Sequence, residues 1–303
     1  MLIFVIEELL LFLAAVVLAV LVVIVSLAFI ASGKMLKPPR RTGSWTPRDL
    51  GFDYERAEVR THDGVILRGW LVKGKTDRTV VAVHGYTSSK WDEGYMKQIL
   101  EILARNGFNV AVFDMRAHGE SSGDYTTLGY RECEDVMRII DWLEERGLAS
   151  KLGIIGYSMG GAITLMVSSM DPRVKAAVAD SPYVDIRSSG RRWVGRVKGL
   201  MGLLLRASYP LIVRFTAARA RIKPERLVMY EYASKIKIPL LLIAGEKDDL
   251  VALDEVKRLY EEVRRVNERA ELWVTPSRHV ASILDSPREY EERVVGFFSR
   301  WLA

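Results

Sequence analysis

From residue 56 onward, short continuous apolar runs alternate with longer stretches in which apolar residues recur every three or four positions. RAEVRT (56–61) and VILRGWLVK (65–73) flank His62-Asp63-Gly64, and Asp-Gly supplies the positive φ angles of a tight turn. The pair predicts a β-hairpin, with His62 a surface turn residue. TVVAVH (79–84), FNVAVFD (108–114), LGIIGY (152–157), VKAAVA (174–179), PLLLIA (239–244) and ELWVT (271–275) read as further strands. Helices are predicted over 90–105, 128–146, 159–170 and 254–268, and a last one opens with Ser286 as N-cap, Pro287, and Glu289 completing a capping box. Strands whose apolar residues run continuously are buried on both faces, so the class is α/β, a mostly parallel sheet with helices on each side.

The first 31 residues break this pattern. From Leu9 to Ala31 no residue is charged and only Ser26 is polar. Those 23 residues make about 34 Å of helix, enough to cross a hydrocarbon layer of about 30 Å. A cleaved signal peptide would have a shorter apolar stretch behind basic residues, whereas this chain opens MLIFVIEE. The expectation is an N-terminal transmembrane anchor over 1–31, a basic irregular linker over 32–55 and a folded body over 56–303. Lys34, Lys37, Arg40, Arg41 and Arg48 follow the anchor, which predicts a single-pass protein of the cell membrane with its body in the cytoplasm.

Composition adds little to this. The lone Cys133 allows no intramolecular disulfide, and no Cys/His cluster suggests zinc, so neither metal nor cofactor is expected. Three asparagines and one glutamine among many Lys, Arg and Glu fit a thermophilic source.

The candidate chemistry centres on Gly156-Tyr157-Ser158-Met159-Gly160, a G-x-S-x-G between a predicted strand and a predicted helix. Alone, the motif is equally a tight turn. As a nucleophile, Ser158 would need a base, and of His62, His84, His118 and His279 only the last follows the final predicted strand. The order nucleophile, acid, base then asks for a carboxylate on a loop before residue 279, and GEKDDLV offers Asp248 and Asp249.

VAVHGYTSSK (81–90), FDMRAHGESSG (113–123), LGYRECED (128–135), GYSMGG (156–161), ADSP (179–182), IPLLLIAGEKDDLVAL (238–253), SRHVAS (277–282) and DSPREYEERVVGFFSRWL (285–302) occur in this order. Together they resemble the α/β-hydrolase fold, and more narrowly the membrane-anchored single-domain serine hydrolases related to the BEM46 and prolyl-oligopeptidase-like groups. The resemblance implies a triad of Ser158, Asp248 and His279, with Asp249 the runner-up acid and Asp180 the second alternative. It implies an oxyanion hole from the backbone N–H groups of Tyr86 and Met159, and loop-shaping roles for His84, His118, Asp114 and Arg116. Ala252 stands where the family often has proline, and Ser277-Arg278 where a glycine is common. The expected activity is hydrolysis of a carboxylic ester, thioester or related acyl bond; a short-peptide peptidase and a silent binding protein of the same fold are the alternatives.

An insertion over about 183–232 reads as a helical cap, with Trp193, Leu200 and Leu204 as candidate substrate contacts. Ten Lys or Arg and no acid lie between Arg187 and Lys223, and five more cations lie between Lys34 and Arg48; against a formal charge of +6 they leave −9 for the rest. Two membrane-facing segments, or one wet basic face, would each produce this segregation. No nucleic-acid motif accompanies it, so the expected partners are a small-molecule or lipid acyl substrate and the membrane. Acyl length, leaving group and oligomeric state stay open.

Overall fold

The structure, a computed structural model, describes residues 2–303. One long helix, α1 (Leu2–Leu36), comes first, and a 3-10 turn at Pro47–Leu50 leads into the sheet. There follow β1 (Tyr54–Arg60), β2 (Ile66–Val72), β3 (Arg78–Val83), α2 (Tyr95–Arg105), β4 (Asn109–Phe113), α3 (Glu132–Glu144), β5 (Lys151–Tyr157), α4 (Met159–Met170) and β6 (Val174–Asp180). The insertion carries α5 (Ile186–Gly195), α6 (Gly199–Ala220) and α7 (Tyr230–Ala233). The chain closes with β7 (Leu240–Gly245), α8 (Leu253–Arg264), β8 (Ala270–Thr275), α9 (Ser282–Asp285) and α10 (Pro287–Trp301).

The eight strands form one sheet in the order β1-β2-β4-β3-β5-β6-β7-β8. β1 and β2 pair antiparallel with their neighbours, and every pairing from β4 to β8 is parallel. This is the α/β-hydrolase arrangement. Each continuous apolar run divides between two cores: in β5, Leu152 and Ile154 face α3 and α4, while Ile155 and Tyr157 face α2 and α10. Side chains that alternate across a pleat explain why an unbroken apolar run is needed.

Three details depart from the sequence pattern. The helix expected from residue 90 starts at Tyr95, because Lys90 is drawn into a buried cluster: its backbone N–H and its ammonium donate to the two Asp114 oxygens (2.7 and 2.6 Å). Pro287 does open α10, but Ser286 makes no capping bond and Glu289 accepts from Arg293 instead (2.9 Å), so the capping box is not formed. Finally, α1 runs past residue 31 to Leu36, and the stretch after it lies on the body. The Arg40 guanidinium donates to the carbonyls of Ser121 and Gly123, and Trp45 packs edge-on to Trp70 at 5.1 Å.

Lys90 and Asp114 are 1 % and 0 % exposed. Removing one partner of such a pair leaves the other buried and uncompensated, so Lys90→Met is expected to lower the unfolding free energy by about 3–5 kcal/mol. Denaturant titration measures it, and an unchanged midpoint would contradict the pairing.

Candidate active site

Ser158 is the single residue between β5 and α4. Its φ of 54° and ψ of −113° lie in a region that costs a residue with a side chain about 1–3 kcal/mol. The turn closes because two neighbours lack side chains. A Cβ on Gly156 would stand 2.1 Å from the Gly160 carbonyl oxygen, and one on Gly160 would stand 2.1 Å from that of Val83. The Ser158 N–H donates to the Asp180 carbonyl at 2.9 Å, tying the strained residue to β6.

The geometry joins three of the residues singled out above. Ser158 Oγ lies 2.8 Å from His279 Nε2, and His279 Nδ1 lies 2.7 Å from Asp248 Oδ2. A carboxylate accepting at Nδ1 fixes that nitrogen as the protonated one, which leaves Nε2 free to accept the serine proton. Asp248 itself is held from its other side, since Oδ1 accepts the N–H groups of Leu250 (2.9 Å) and Val251 (2.8 Å). The three-residue step from Asp248 to Val251 thus has a physical reason: Val251 packs into the core and presents its N–H to the acid.

The other two carboxylates are engaged elsewhere. Asp249 points outward and pairs with Arg196 at the end of α5, an ion pair that holds its carboxyl below the usual range and links the acid loop to the insertion. Asp180 is fully buried. Its oxygens accept from Ser181 Oγ (2.9 Å) and Tyr290 OH (3.0 Å), and burial raises its pKa to about 6. Ser181 Oγ in turn accepts the Val280 N–H at 3.2 Å, so Asp180 props the loop that carries His279 without touching the imidazole.

Above Ser158 sits the loop after β3. His84 Nδ1 donates to the Gly85 carbonyl (2.8 Å), and His84 Nε2 accepts the Met115 N–H (2.9 Å). Gly85 C=O and Tyr86 N–H belong to one planar peptide, so holding the oxygen aims the Tyr86 N–H the opposite way. That N–H makes no backbone hydrogen bond among the described residues. The Met159 N–H, first in α4, is one of the four that a helix leaves unpaired at its start. The Met159 donor and a helix N-terminus therefore stand beside the serine, and a Cβ on Gly85 would lie 3.4 Å from that of Ser158, so the loop that carries Tyr86 runs close to it.

Of the remaining histidines, His62 is exposed in the hairpin turn. His118 is buried with Nδ1 donating to the Arg116 carbonyl (2.9 Å). Arg116 bridges Asp135 (2.7 Å) and Asp63 (2.8 Å), bracing the hairpin turn against α3. In the insertion, Leu204 is half-buried, whereas Trp193 and Leu200 stand 53 % and 72 % exposed and are not enclosed around Ser158. Sequence reasoning missed Ser181, Tyr290 and Tyr95, whose hydroxyl accepts the Gly85 N–H (3.1 Å). Only ADSP hinted at the first of these; nothing in the pattern marked the two tyrosines.

The sheet order, the serine in its strand-to-helix turn and the hydrogen-bonded histidine define a hydrolytic enzyme of the α/β-hydrolase class. A profile described as serine aminopeptidase, S33, matches residues 74–231, half of the chain. The chain belongs to this family. It is similar in structure to the Pyrococcus furiosus esterase Pf2001, with 38% identity, a TM-score of 0.78, and coverage of 88% of this chain and 100% of that one. Among curated proteins it resembles the Saccharomyces cerevisiae membrane protein YNL320W, 25% identical over 220 residues (71% of this chain, 70% of the other). It also resembles Schizosaccharomyces pombe bem46, 23% identical over 221 residues (71% and 67%).

Burial lowers His84 and His118 to about 4 each, so both imidazoles stay neutral in the folded protein at pH values where they titrate, near 6.5, when unfolded. Their stabilising contribution is present above about pH 6.5 and is lost as pH falls towards 4. Unfolding free energy should fall across that window by up to about 1.4 kcal/mol per pH unit for each imidazole. Urea titrations of wild type and His118→Leu check this: the slope should shrink in the variant, and equal slopes would contradict it.

Proposed function

We propose that the chain is a membrane-anchored serine hydrolase that cleaves a carboxylic ester or thioester through an acyl-enzyme. The observation that carries this reading is the unbroken hydrogen-bond chain from Ser158 Oγ through His279 to Asp248, beside two undirected backbone donors. Ser158 attacks the acyl carbonyl while His279 Nε2 takes its proton, and Asp248 keeps the imidazole tautomer and stabilises its cation. The oxyanion is received by the N–H groups of Tyr86 and Met159, each such donor contributing about 3 kcal/mol to the transition state. The leaving group departs with the proton from His279, and water repeats the sequence to free the acid. The similarity to Pf2001, an esterase, supports ester over peptide cleavage. The family description favours a peptidase as the second reading.

Residues 3–23 of α1 are exposed all round and apolar apart from Glu7 and Glu8, which supports the anchor; the basic flank after it supports a body on the cytoplasmic side.

A fluorophosphonate should label the wild type and leave Ser158→Ala unlabelled; equal labelling of both would falsify Ser158 as the nucleophile. Asp248→Asn should lower kcat for a p-nitrophenyl ester by about 10⁴-fold. Asp249→Asn should change it less than about threefold, because its partner is a surface arginine. A comparable loss in both would mean that the acid is misassigned. Turnover of esters in preference to aminoacyl anilides separates the two readings.

A further inference from the structure

The last three turns of α1 are built into the body. Ile24 is half-buried, and Ala28, Ser32 and Leu36 are buried at four-residue spacing, a single stripe turned towards α6. Arg219 of α6 donates to the Phe29 carbonyl (2.8 Å) and stacks on the Phe29 ring at 3.9 Å, with Phe215 edge-on at 6.1 Å. The end of α1 is fastened as well: the Thr126 N–H donates to the Leu36 carbonyl (2.9 Å), and the Tyr86 hydroxyl donates to the Met35 carbonyl (3.0 Å). These carbonyls would have no helical partner, and the body supplies one. A tether that only kept an enzyme near a membrane would need none of this, and an irregular linker would serve.

The attachment fixes a depth. The apolar run of α1 ends at Ala31, and Met35 lies four residues on, about 6 Å further along the axis. The interfacial layer outside the hydrocarbon is itself about 5–7 Å thick on each side. Tyr86, whose N–H faces the proposed oxyanion, is therefore held within the layer where lipid headgroups join their acyl chains. Arg219, in the last turn of α6, contacts the same part of α1 at the level of anionic headgroups, with Arg221 capping that helix and Lys223 following two residues on in the chain.

Resting on the hydrolase and anchor reading above, we propose that the substrate class is the acyl ester of a bilayer-resident lipid, cleaved at the membrane interface. The acyl carbon–oxygen bond of the lipid breaks as a bond to Ser158 Oγ forms. The serine proton passes through His279 to the lipid alkoxide, and water then releases the fatty acid and restores the serine.

The test uses the full chain in phosphatidylcholine/phosphatidylglycerol vesicles, labelled at Ser158 with a fluorophosphonate that carries a fluorophore on a short linker. Lipids bearing a nitroxide at the headgroup or at acyl carbon 5 should quench the fluorophore at least twofold, and a nitroxide at carbon 12 should quench it less. In the same vesicles the unlabelled enzyme should turn over 4-methylumbelliferyl oleate with at least tenfold higher kcat/KM than the water-soluble acetate. Quenching by aqueous iodide with no effect of any lipid nitroxide, or a preference for the acetate, would overturn the lipid assignment and leave the hydrolase reading standing. Absence of labelling would overturn both.

Discussion

A residue with a side chain is held at a φ of 54° between β5 and α4, and the rest of the site is arranged around keeping it there. The strain of about 1–3 kcal/mol persists because the surroundings over-determine the turn. The Ser158 N–H is tied to β6, and Gly160 lies against the backbone of β3. Three adjacent parallel strands thus meet at one hydroxyl. Loops that follow the carboxyl ends of β7 and β8 then bring Asp248 and His279 to it, and the loop after β3 passes alongside, which is where open α/β sheets place ligands.

Positioning is achieved by giving each polar group one partner for orientation and leaving the other valence for chemistry. Asp248 spends one oxygen on the N–H groups of Leu250 and Val251 and offers the second to His279. His84 holds the Gly85 carbonyl so that the other side of that peptide stays open to the site. Asp180 works one layer down, through Ser181 to the Val280 N–H. A buried network of this kind is costly if any member is left unpaired, and here each oxygen of Asp180 has a donor.

The strands and the helix α4 were legible because their apolar runs must satisfy two cores at once, and that demand leaves an unambiguous mark in LGIIGY and PLLLIA. The contacts among Ser158, His279 and Asp248 could be anticipated because chain order and loop position constrain which residues can meet there. The stretch at 90–94 misled because helical spacing says nothing of a lysine drawn to Asp114, some 24 residues away in sequence. The role of Asp249 was equally hidden, since its partner Arg196 lies in the insertion. The docking of α1 could not be read at all. Ala28, Ser32 and Leu36 look like any lipid-facing residues until α6 is placed against them.

On the proposed reading, Ser158 carries the acyl group between two chemical steps. Millisecond acid quench of the enzyme with a p-nitrophenyl ester, followed by peptide mass analysis, tests it most directly. A burst of p-nitrophenol equal to the enzyme concentration is expected, with an acyl mass on the peptide containing Gly156–Gly160. Turnover with no burst, or an acyl group on a different peptide, would contradict it.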